Sequence, residues 1–104
     1  MSQYYNRLGK PITLERWSEL MNDDEYRRVA STRVGHWRIS TVWLGLDHNL
    51  LGHVPLIFET MVFDENADGL GRYDDLEMQR YTTECQALLG HDVMVAQVSE
   101  WGEP

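Results

Sequence analysis

At Tyr26 the sequence changes its period, and that change limits the fold more than any other feature. From Y26-R27-R28-V29-A30-S31-T32-R33-V34, through Gly35-His36, to W37-R38-I39-S40-T41-V42-W43-L44-G45-L46, side chains alternate instead of recurring every third or fourth residue. Alternation sends successive side chains to opposite faces of an extended strand. Two such runs parted by a two-residue break containing glycine signal a β-hairpin. Setting Val34 opposite Trp37 predicts Ala30 opposite Thr41 and Arg28 opposite Trp43.

A further run, P55-L56-I57-F58-E59-T60-M61-V62-F63, extends the sheet. Pairing Leu46 with Pro55 predicts Trp43 opposite Phe58, Val42 opposite Glu59 and Ile39 opposite Val62. One face then carries Ile39, Trp43, Leu56, Phe58 and Val62, and the other carries Val42, Leu44, Leu46, Ile57, Met61 and Phe63. Both are apolar, so each calls for a cover, either a helix or a second subunit. A two-fold homodimer is the expected form of the latter.

The flanks read as helices. Tyr4 to Ile12 resembles a short strand and turn. Thr13 then suits a helix N-cap, with Leu14, Trp17, Leu20 and Met21 at helical spacing up to Asn22-Asp23. After a loop over 64–72 and a weaker strand near Leu76 to Tyr81, T83-E84-C85-Q86 has the spacing of a capping box. The helix it opens offers Ala87, Leu88, Leu89, Val93, Val95, Ala96, Val98 and Trp101, weakened in its middle by Gly90. The expected architecture is α+β, an antiparallel β-meander in the order β-α-β-β-β-β-α. A short N-terminal helix and a longer C-terminal helix pack on it in a single domain over 1–104.

Composition excludes several classes. The formal net charge is −8, and the nine Lys plus Arg form no basic run, which argues against direct nucleic-acid binding. Hydrophobic residues make up 42% of the chain, with four Trp and five Tyr, too many for disorder. A single cysteine, Cys85, allows no internal disulfide. Apolar runs are only a few residues long and no leader is evident, so a cytoplasmic protein without membrane contact is expected.

The segments YYNRLGKPI, YRRVASTRVG, WRISTVWLGLDH, PLIFETMVF and RYTTECQALLGH resemble a family of small uncharacterised proteins of actinobacteria and their bacteriophages. The resemblance covers nearly the whole chain, and the pair STVWLGLDH and PLIFETMVF is its most specific part. It implies an intracellular phage or actinobacterial protein, in the host cytoplasm if phage-encoded, and it carries no catalytic residue across. This sequence departs from the family at N49-L50-L51-G52-H53, where a Gly/Pro-rich connection is usual.

Chemistry is sparse. Asp47-His48 ends a predicted strand, with His53 beyond it and Glu59 on the partner strand, groups suited to acid, base or metal-ligand work. Their spacing matches no established motif, and a strand-ending Asp commonly bonds turn backbone, so a structural role is the favoured reading. His48, His53, His91 and Cys85 lack the close pairs of a zinc site. D64-E65-N66-A67-D68-G69 imitates the start of a calcium loop, but Asp75 stands where Glu is required and the flanks read as strands. No metal and no cofactor is expected. A non-enzymatic interaction protein is the expectation, an accessory factor of phage or prophage binding a host or phage protein. Trp43, Asp47, His48, Glu59, Asp64 and Asp68 are its candidate interaction residues. The competing reading is a small hydrolase, metal-dependent or acid/base, using Asp47, His48 and Glu59.

Overall fold

The computed structural model describes residues 3–46, 54–65, 72–73 and 78–101. Its elements are β1 (Tyr4–Tyr5), β2 (Pro11–Ile12), α1 (Leu14–Met21), α2 (Asp24–Arg27), β3 (Arg28–Val34), β4 (Trp37–Trp43), β5 (Phe58–Asp64), β6 (Arg72–Tyr73), β7 (Gln79–Tyr81) and α3 (Glu84–Ser99). β3, β4 and β5 pair in that order, and β6 and β7 share the far edge of β5; every pairing is antiparallel. The expected α+β meander is therefore present, with α3 packed on the sheet and the short α1 preceding it.

The central register follows from alternation and the turn. Gly35 takes a positive φ of 60°, as the first central residue of a tight hairpin turn requires, and Val34 pairs with Trp37 and Ala30 with Thr41. Between β4 and β5, Trp43 pairs with Phe58, Val42 with Glu59 and Ile39 with Val62, as alternation predicts.

Four expectations about pairing and element type need correction. Arg28 lies opposite Val42 instead of Trp43, because an irregularity at Val29 shifts the register by one residue and so turns Arg28 to the other face. Trp43 is met by Tyr26, whose ring stands edge-on at 4.9 Å from a one-turn helix capped by Asp23 rather than from a strand. Leu46 does not pair with Pro55. It bridges to Tyr4, while the Leu44 and Gly45 amides both donate to the Ile57 carbonyl and end the regular ladder at Trp43. The fourth correction is β6, which lies where a loop was expected to reach Arg72.

This early ending decides the core. Ile57, assigned by alternation to the far face, is fully buried in one cluster with Leu20, Trp43, Phe58 and Ala87. A second cluster joins Trp37, Ile39 and Val62 to Met94 and Val98 of α3. Gly45 makes the first cluster possible, since at φ 69° a Cβ there would stand 2.2 Å from the Trp43 indole.

The opposite sheet face is not the second apolar face that alternation suggests. Arg33, Arg38, Ser31, Ser40 and Arg80 interrupt Val42, Met61 and Phe63, and the Arg38 guanidinium lies 4.5 Å from the Phe63 ring centroid. Arginine stems can cover apolar surface while their heads stay in water, so this face carries a half-polar cover of its own.

Candidate functional site

The three rows of the inner sheet face differ in chemistry. Trp43 and Phe58 form an apolar row under Ala87, and Ile39 and Val62 form another under Met94 and Val98. Between them lies Thr41 beside Thr60, both fully buried. Above this polar row α3 places His91, one turn beyond Ala87 and one turn short of Met94, only 3% exposed.

Burying polar groups is costly unless each finds a partner, and these do. His91 Nδ1 is 2.7 Å from Thr41 Oγ1, and its Nε2 is 2.8 Å from Thr32 Oγ1 on β3. Thr41 Oγ1 also bonds Thr60 Oγ1. A neutral imidazole has one N–H and one lone pair, so the hydroxyl protons can run from Thr60 to Thr41 to Nδ1 while Nε2–H donates to Thr32, or in the reverse sense. Burial holds the His91 pKa below its ordinary value, against a smaller upward pull from Asp92. Both ring nitrogens are thus engaged by threonines of two neighbouring strands, and Thr60 on a third joins through Thr41. The cluster locks α3 to the sheet and leaves no ring atom for a substrate or a metal.

Alternation already put Thr41 and Thr60 on the face of Trp43 and Phe58, and His91 falls on the helical stripe Ala87, Met94 and Val98. A histidine in an apolar stripe facing two strand threonines was the available signal.

The predicted site residues scatter. Trp43 is fully buried, its indole N–H donating to the Tyr5 carbonyl at 3.0 Å, which removes it from any interaction surface. Glu59 lies on the other sheet face, where its carboxylate accepts from Arg80 Nε at 3.1 Å and is only 12% exposed. Asp64 sits at the hairpin end with Oδ1 2.7 Å from His36 Nδ1. Asp47, His48 and Asp68 lie outside the described residues, as does His53. The described part of the hydrolase trio is therefore Glu59 alone, committed to an arginine. Among the described residues no three His, Cys, Asp or Glu side chains are grouped to hold a metal ion. None of the described helices is long and apolar enough to cross a membrane.

Among the described elements α3 carries the most exposed large apolar side chains, while Leu8, Leu14 and Val54 stand singly elsewhere. Its capping box is formed as expected, Thr83 Oγ1 accepting from the Gln86 amide and the Gln86 side chain accepting from the Thr83 amide. Its buried stripe is Ala87, His91, Met94 and Val98, and of the broad apolar surface expected of this helix Leu88, Leu89 and Val93 are 43%, 63% and 57% exposed. Trp101 lies past the helix end, edge-on to Trp37 at 5.0 Å. Beside Val93 runs a groove of about 220 Å³ lined by Gln79, Tyr81, Gly90, Val93, Met94 and Gln97. Compared with protein-family models, curated proteins and solved structures, the chain matches none.

Proposed function

We propose that this chain is a non-enzymatic interaction protein, an accessory factor of a bacteriophage or prophage that binds a host protein. The observation that carries the interaction reading is the second apolar side of α3. The inward side is already used by Ala87, His91, Met94 and Val98, yet Leu89 and Val93 stand in solvent on the other side, with Leu88 exposed at its flank. Contiguous exposed apolar side chains on a helix are a common mark of an interface. The phage origin rests on the sequence resemblance. The test is affinity capture from an actinobacterial lysate with the full chain as bait, beside a bait carrying Leu89→Gln and Val93→Gln. A host protein enriched by the first bait and lost with the second supports the reading. Absence of any protein enriched over an unrelated acidic bait overturns it.

A further inference from the structure

The outward side of α3 has the pattern of a docking ridge. Leu89, Val93 and Ala96 follow one another in steps of four and three residues, so they line up along one side of the helix, with Leu88 exposed at its flank. Over sixteen residues α3 is about 24 Å long, and Leu89 to Ala96 cover about 10 Å of it. Helices laid against other helices use anchors at this spacing.

The groove adjoins the ridge and shares Val93 with it. Gly90 lets Tyr81 form one side of it close against the helix: a Cβ at residue 90 would stand 2.2 Å from the Tyr81 hydroxyl oxygen. Its apolar wall is Val93 and Met94, its polar rim Gln79 and Gln97, and the Tyr81 hydroxyl borders it. That lining suits one aliphatic side chain of a partner, with amide and hydroxyl groups at its edge.

Charge selects among partners. From Tyr81 to Trp101 the chain has no Lys or Arg; its acidic residues are Glu84, Asp92 and Glu100. Glu84 is engaged in a two-pronged ion pair with Arg7, which leaves Asp92 and Glu100 as exposed acids on α3 and at its end. A second copy laid along this ridge would set Asp92 and Glu100 against like charges, and nucleic acid or an anionic lipid surface would be repelled in the same way. Lys and Arg flanking an apolar seam complement both features.

We infer that the outward ridge of α3 receives a basic amphipathic helix of a partner protein, with one aliphatic side chain of that helix seated in the groove between β7 and α3. This rests on the interaction reading above and gives it a place and a partner chemistry.

The probe is a designed peptide about five helical turns long, with leucines on one face and lysines flanking them, titrated into the isotope-labelled full chain. A companion peptide carries glutamate in place of each lysine. The expected result is amide shift changes confined to Tyr81 and residues 88–97, with the glutamate peptide bound at least about ten-fold more weakly. Leu89→Gln with Val93→Gln should weaken the lysine peptide about ten-fold. Asp92→Asn with Glu100→Gln should weaken it less and flatten its salt dependence. All four positions are exposed, so an unchanged melting temperature will show that the variants remain folded. Shift changes on Ser31, Arg33, Arg38 or Ser40, equal binding of both peptides, or undiminished binding by the Leu89/Val93 variant would overturn the inference. So would self-association that this variant abolishes. If any of these occurs while lysate capture still enriches a host protein, the interaction reading survives and only its location on α3 is lost. If lysate capture is also empty, both fall.

Discussion

His91 Nδ1 of α3 lies 2.7 Å from Thr41 Oγ1 of β4, at the seam where the protein's apolar core divides in two. The pair joins helix to sheet through a directional bond in the middle of surfaces that are otherwise non-directional. It therefore fixes the rotation of α3 as well as its contact.

The first consequence is a pH dependence with a defined sign. Burial lowers the folded-state pKa of His91, so below its ordinary value of about 6.5 the unfolded chain takes up a proton that the folded chain excludes. The unfolded state then binds more protons, and stability present above pH 6.5 is lost as pH falls from there toward the folded-state pKa. Urea unfolding of the wild type at pH 7.5 and pH 5.5 should show this loss, and His91→Gln should lose less between the same two values. Equal losses would remove His91 as the cause.

Replacing Thr41 with Val keeps the shape and deletes the hydroxyl shared by His91 and Thr60. Two buried polar groups are left short of a partner, and the expected cost is about 1–3 kcal/mol in urea unfolding. Ser31→Val, at an exposed position opposite Ser40 on the other sheet face, should stay within about 0.5 kcal/mol of wild type. A Thr41→Val protein as stable as wild type would show that the cluster contributes nothing net.

Gly90 to Ala raises intrinsic helix propensity by about 1 kcal/mol, yet here it should destabilise. The new Cβ would meet the Tyr81 hydroxyl and ring at 2.2–2.4 Å, and a half-buried tyrosine held between β7 and α3 must shift to admit it. In a Tyr81→Ala background the same change should become neutral or stabilising. A double-mutant cycle by thermal unfolding measures the coupling, and additive effects would contradict the close approach.

Trp43→Ala empties a fully buried site between Phe58, Tyr26 and Gly45 and should lower stability by about 3–5 kcal/mol. That is a large part of what holds a domain of this size. An unchanged melting temperature would contradict the packing described for Trp43.

Local signals in the sequence determined a good deal. Val34, Gly35 and Trp37 set the hairpin register, alternation carried it across to Phe58 and Val62, and Thr83 with Gln86 marked the start of α3. Each depends on residues a few positions apart, or on a strand period that persists once begun. The site residues were less legible. Asp47-His48 and Glu59 attracted attention by residue type, whereas Glu59 is neutralised by Arg80 across β5 and β7, a partner 21 positions away. What only the tertiary structure decided was which side of α3 faces inward. Leu88, Leu89 and Val93 are as apolar as Ala87, Met94 and Val98, so hydrophobic periodicity does not rank the two sides. The choice is made by partners distant in the chain. Turning His91 inward satisfies Thr32 and Thr41, and turning Gly90 toward β7 admits Tyr81. The opposite rotation would bury Asp92 and leave the threonine row without its histidine, and the penalty for unpaired buried polar groups exceeds any small difference in apolar area between the two sides.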